Sequence, residues 1–90
     1  MNKRRTKIEI IFDILNSIHQ KGGKIKPTHL LYKSNLSYKK MLEYLSELMK
    51  KDMVTETVDK EKKVYTITDK GINYIHEYKK IKEFSDSFGL

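Results

Sequence analysis

Apolar residues recur at helical spacing between Lys7 and Lys21 and predict an amphipathic first helix. The positions are Ile8, Ile11, Phe12, Leu15 and Ile18. Gly22 and Gly23 follow, and glycine readily takes the left-handed conformation that ends a helix. The segment 24–26 is too short to stand alone, so we expect it to be an edge strand that pairs with a later hairpin.

The next segment predicts two helices separated by a tight turn. A short second helix begins at Pro27, which suits a first helical turn, and runs to about Lys33. The turn spans 34–36, and a third helix follows over 37–51 with Ser37 as its N-cap. The apolar face of this third helix holds Tyr38, Met41, Leu42, Leu45, Leu48 and Met49, and its polar face holds Lys39, Lys40, Glu43, Glu47 and Lys50.

Two strands are predicted over 54–58 and 64–67, around a polar tip at 59–62. A fourth helix starts directly after the second strand, because Thr68 suits an N-cap and Asp69 places negative charge in the first turn. A helix-turn-helix followed by such a hairpin is the layout of a winged helix. The predicted fold class is therefore α+β, mainly α, with a three-helix core, a β-hairpin wing and a C-terminal helix.

The 90 residues suffice for one domain with a modest core. We expect a basic flexible arm over 1–6, a winged helix-turn-helix domain over 7–68 and a C-terminal helix over 69–90 that forms a dimer. The absence of cysteine excludes disulfides and thiolate metal sites and fits a reducing interior. No apolar run approaches the ~20 residues that span a bilayer, and a signal-peptide core is absent, so we expect a soluble, cytoplasmic protein.

The positive charge is concentrated in one part of the chain. The net charge is +7, yet residues 1–40 contain ten Lys or Arg and two acids, whereas residues 41–90 contain nine Lys and ten acids. A concentrated basic half is typical of a protein that binds a polyanion. The alternative is a lysine-rich proteome with incidental clustering.

A family resemblance rests on three ordered pieces of the sequence. These are Leu36-Ser-Tyr38, then Tyr44-Leu45 with Leu48, and then Tyr65-Thr-Ile-Thr-Asp-Lys-Gly71. With these spacings the chain resembles, over residues 7 to 80, the small archaeal winged helix-turn-helix proteins, which include transcription regulators and dimeric chromatin proteins. The resemblance implies DNA binding and dimerisation through the last helix.

The third helix supplies the main candidates for DNA contact. In a helix-turn-helix the second helix of the pair lies in the major groove, and its N-terminal residues reach base edges. The candidates are Ser37, Lys39, Lys40 and Glu43, with Tyr38 at the margin, where core packing is favoured over base contact. Lysine can bind phosphates or guanine acceptors, and glutamate can accept from cytosine N4. The alternative for the lysines is a solvated helix face.

Further basic residues flank this helix in the sequence. Lys60, Lys62 and Lys63 would let the wing touch DNA, although an ordinary solvated hairpin fits equally well. Arg4 and Arg5, together with the preceding Lys3, suit an arm that reaches the minor groove, and a basic end without function would look the same. Lys24, Lys26 and Lys33 are weaker phosphate candidates.

The fourth helix has apolar residues over an arc wider than one buried stripe. We assign Ile72 and Ile75 to the core of the domain. The other apolar residues of this helix need a second surface that covers them, and a partner chain related by a two-fold axis would supply it. The predicted dimer interface comprises Tyr74, Tyr78, Ile81, Phe84 and Phe88. The alternative is that these residues fold back on the first helix.

The sequence offers little for catalysis. His19, His29 and His76 show no metal-ligand spacing, and Gly22-Gly23 lacks the context of a phosphate loop. We therefore predict no enzyme, no cofactor and no metal. The predicted function is double-stranded DNA binding by a transcription regulator. The alternatives are an architectural DNA-binding protein without sequence preference and a winged helix that docks other proteins.

Overall fold

The computed structural model describes residues 4–90, and this part of the chain contains four helices and one three-stranded sheet. The elements are α1 (Lys7–Gln20), β1 (Lys24–Ile25), α2 (Pro27–Ser34), α3 (Tyr38–Lys50), β2 (Val54–Asp59), β3 (Lys62–Ile67) and α4 (Asp69–Ser87). The order matches the predicted winged helix, so the predicted fold class is confirmed. Within residues 4–90, no helix is both long and apolar enough to cross a membrane.

The core lies between α1, α3 and the inner face of the sheet. Its fully buried side chains include Ile14, Leu15, Ile18, Leu30, Met41, Leu45, Val54, Tyr65 and Ile75. The predicted apolar stripe of α1 is wrong at two positions, because Ile8 is exposed and Ile14 is buried. α1 packs against α2, the sheet and α4, so its neighbours bury more of the helix than a single stripe.

The sheet is antiparallel, with the strand order β1-β3-β2. Ile25 pairs with Tyr65, so the prediction that segment 24–26 joins the hairpin as an edge strand is confirmed. The hairpin extends to the pair Asp59 and Lys62, beyond the strands predicted from the sequence. Its two-residue tip, Lys60 and Glu61, has φ angles of 51° and 66°, which is the left-handed geometry of a type I′ turn.

A close contact fixes the start of α4 against the base of the wing. Thr68 caps the helix by accepting from the Gly71 amide at 3.1 Å, as predicted, and its hydroxyl donates to the Asp52 carbonyl at 2.7 Å. A Cβ on Gly71 would lie 2.5 Å from the Met53 carbonyl oxygen, so only glycine fits without a backbone shift. The helix then continues to Ser87, past the end predicted near Phe84.

The start of the described chain differs from the expected flexible arm. Thr6 caps α1 in a reciprocal capping box with Glu9. The Arg5 guanidinium donates to the Asp13 carboxylate at 2.8 Å and to the Ser34 carbonyl at 2.9 Å. These bonds tie residues 5 and 6 to α1 and to the end of α2. Lys3 lies outside the described residues.

Candidate nucleic-acid interface

The first half of α3 presents a charged surface because the opposite side of the helix is fixed in the core. Met41, Leu45 and Leu48 are buried at helical spacing. Ser37 caps the helix, accepting from the Lys40 amide at 3.2 Å. All five residues predicted to contact DNA from this helix are exposed: Ser37, Tyr38, Lys39, Lys40 and Glu43.

Two residues assigned to the apolar face of α3 reach the surface. Tyr38 is 58% exposed and Leu42 is 37% exposed, so the expectation that Tyr38 packs in the core is wrong. With Lys39, Glu43 and Ser46 these two side chains line one shallow recess on the outer side of the helix. The buried face of α3 is narrower than the wheel predicts, because Met41, Leu45 and Leu48 already fill the space against the core.

Both acidic residues on the outer side of α3 have basic partners. The Lys40 ammonium lies 3.6 Å from the Glu43 carboxylate, and the Lys7 ammonium lies 2.7 Å from that of Glu47. The hydrogen bond with Lys7 lowers the pKa of Glu47 and raises the pKa of Lys7. The repulsion that these acids would exert on phosphates is therefore partly balanced within the protein. Lys39 has no ion pair within residues 4–90.

The wing packs against α3 through β2. Burial raises the pKa of Tyr65 on β3, and the positive charge of Lys63 opposes this shift. Lys63 is paired with Glu56 at 3.5 Å. Lys60 and Lys62 form no ion pair in the described part of the chain, which leaves their charges available to a ligand.

A second basic surface lies where α1, β1 and α2 meet. Lys33, a predicted contact, shares a recess with Lys21 and His29, and the neighbouring recess adds Lys24 and Lys26. Lys21 is not among the predicted contacts, since the fold brings it beside His29 and Lys33 from a separate segment. The one signal in the sequence is the absence of any acid between Asp13 and Glu43.

The predicted arginines do not act together. Arg4 is exposed, as a DNA contact requires. The Arg5 guanidinium is instead held by Asp13 and by the carbonyl oxygens of Ser34 and Asn35, at the turn before α3. Its observed role is to hold this turn in place.

The residues predicted for the dimer interface divide into two groups. The Tyr74 hydroxyl donates to the Ile8 carbonyl at 3.3 Å, and Tyr78 stacks on Phe12 with ring centroids 4.2 Å apart. These two tyrosines pack on α1 of their own chain, which corresponds to the alternative considered above. The remaining three stay exposed at 66% for Ile81, 67% for Phe84 and 66% for Phe88.

Comparisons with known proteins agree with this geometry. The family model described as winged helix-turn-helix matches residues 4–86. An uncharacterised protein of Methanocaldococcus jannaschii is 35% identical over 68 residues, which cover 76% of this chain and 29% of that protein. The chain thus spans less than a third of this curated relative.

Solved structures show the same fold. Sso10a-2, a DNA-binding protein from Sulfolobus solfataricus, is 31% identical with a TM-score of 0.75, over 94% of this chain and 90% of that one. MepR, a transcription regulator of a Staphylococcus aureus multidrug efflux pump, is 18% identical with a TM-score of 0.74. The match covers 88% of this chain and 61% of MepR. The second likeness concerns the fold alone. Together with the family match, the fold shows that the chain belongs to the winged helix-turn-helix family.

Proposed function

We propose that this protein binds double-stranded DNA as a transcription regulator, with α3 in the major groove. The observation that carries the proposal is the exposed first half of α3, where Lys39 and Lys40 project from the position that reads bases in helix-turn-helix proteins. The likeness to Sso10a-2, a DNA-binding protein, supports the same role. The role is binding rather than catalysis, and a DNA partner implies a cytoplasmic location.

Lysines outside α3 fit contacts to the phosphate backbone. Lys60 and Lys62 on the wing and Lys33 on α2 are exposed and free of carboxylate partners within residues 4–90. Phosphate contacts of this kind set affinity and register without reading the sequence. We therefore assign affinity to these flanking lysines and to phosphate contacts of Lys39 and Lys40, and specificity to the other exposed side chains of α3.

A regulator is favoured over an architectural protein by the chemistry of α3. Glu43 remains on the reading surface although a carboxylate opposes phosphates, and it can accept a hydrogen bond from a base amino group. Selection of binding sites from a random duplex pool tests this choice. A regulator should bind its selected site on the order of 10³-fold more tightly than random DNA. A ratio near one would contradict the regulator proposal and favour the architectural role.

We also propose that two copies associate through the end of α4. Ile81, Phe84 and Phe88 follow one another at spacings of three and four residues, which places them on one side of the helix. The rings of Phe84 and Phe88 lie 5.0 Å apart and form an exposed aromatic pair. A second copy related by a two-fold axis would cover this surface with an identical one. The two α3 helices would then face half-sites about 34 Å apart.

A further inference from the structure

The exposed pair Tyr38 and Leu42 is the feature of α3 that phosphate binding does not explain. The two side chains lie one helical turn apart on the outer side of the helix. Leu42 has no polar atom in its side chain to offer a phosphate, and it is more than a third exposed at 37%. An apolar patch on the DNA-reading surface calls for an apolar group on the ligand.

We propose that this Tyr38–Leu42 patch contacts the 5-methyl groups of thymine, so that the protein prefers A·T pairs where α3 meets DNA. The 5-methyl of thymine is the apolar group that an unmodified base pair presents in the major groove. Charge complementarity identifies the ligand, because Lys39 lines the same recess without a carboxylate partner within residues 4–90, whereas the Glu43 carboxylate that also lines it is paired with Lys40. This inference rests on the proposed function and names the bases that α3 reads.

Replacing thymine with uracil tests the inference, because uracil pairs in the same way and lacks only the methyl group. The wild-type protein is titrated onto two duplexes of about 24 base pairs, identical except that every thymine in one is uracil. We expect the affinity to fall about fourfold for each thymine methyl in contact. A second pair of duplexes is rich in G·C, and one of the two contains 5-methylcytosine, whose methyl group occupies the same position in the major groove as that of thymine. The protein should bind the methylated duplex more tightly than the unmethylated one.

Two variants assign the effect to Leu42. Leu42→Ala should lower the thymine-to-uracil affinity ratio toward one, because only Tyr38 and a single methyl remain of the patch, whereas Leu42→Met keeps a large apolar side chain and should preserve the ratio. Lys39→Ala is a matched control on the same recess. It should weaken binding to both duplexes equally, since it removes a charge and leaves the apolar patch in place.

The outcomes separate this inference from the proposed function. Tight binding of the wild type with equal affinity for thymine and uracil duplexes would overturn the methyl contact and leave DNA binding intact. Failure to bind either duplex at low salt would overturn both. The comparison of thymine and uracil duplexes uses the wild-type protein alone. It therefore tests the methyl contact even if Leu42→Ala is poorly folded.

Discussion

Reversing two charges with Lys39→Glu and Lys40→Glu should weaken DNA binding on the order of 100-fold or more. Both lysines are exposed in the first turn of α3, and glutamates there would repel the phosphates that border the major groove. The slope of log K against log salt should also fall by about two for each bound protomer, because each loses two phosphate contacts. Fluorescence anisotropy with a labelled duplex measures both quantities.

The same double substitution should leave the protein folded. Residue 40 is the third residue after the Ser37 cap, so a glutamate there completes a capping box. Negative charge in the first turn also suits the helix dipole. The lost Lys40–Glu43 ion pair and the repulsion from Glu43 offset this gain, so we expect a Tm close to that of the wild type, which separates loss of binding from loss of structure.

Lys70→Glu with Lys79→Glu provides the matched control. These exposed lysines lie on α4, away from the first turn of α3, and their reversal changes the net charge by the same amount. Binding should change only a few-fold, roughly as expected from long-range charge at moderate salt. An equal loss in the two double variants would contradict a role for α3 in particular. Full retention in the α3 variant would favour the protein-docking alternative.

Replacing Ile81 and Phe84 with aspartate should convert a dimer into a monomer. Each side chain is about two-thirds exposed within one chain, so the substitutions remove little from the core of the domain. In the proposed dimer they would place four carboxylates in an apolar contact. The dissociation constant of the dimer should rise on the order of 1,000-fold. Sedimentation velocity across a range of protein concentrations measures this change.

Ile81→Leu with Phe84→Leu is the corresponding control, because it keeps the surface apolar. This variant should remain dimeric, and the aspartate variant should retain the helical circular dichroism of the wild type. A wild-type protein that sediments as a monomer at every concentration would refute the dimer. DNA affinity should fall in the monomeric variant, since two half-sites can no longer be bound together.

Local chemistry accounts for the parts of the fold that the sequence predicts. Ser37 and Thr68 are caps because their hydroxyls satisfy free amides at helix starts, and this needs only the next three residues. Strand alternation and a polar tip likewise specify the hairpin within a short segment. These elements follow in the order of a winged helix, and that order determines the fold and identifies α3 as the helix proposed to read DNA.

Contacts between distant segments account for the parts that the sequence does not predict. The sequence predicts a free arm at Arg5 because its partners at Ser34 and Asn35 come from a separate helix end. The sequence likewise predicts Tyr78 in a dimer contact, yet this ring stacks on Phe12 of its own α1. A helical wheel shows which side of a helix is apolar, but the packing of its neighbours decides how much of that side is covered.

The most direct test of the central claim is an anisotropy titration of the wild-type protein onto random duplex DNA across a salt series. If lysines of α2, α3 and the wing contact phosphates, four to six such contacts predict a slope of roughly −4 to −5 in log K against log salt for each bound protomer, and about twice that for a dimer with both protomers bound. Tight binding at low salt with this slope is the predicted result. Absence of binding at low salt, or binding that does not change with salt, would contradict the account.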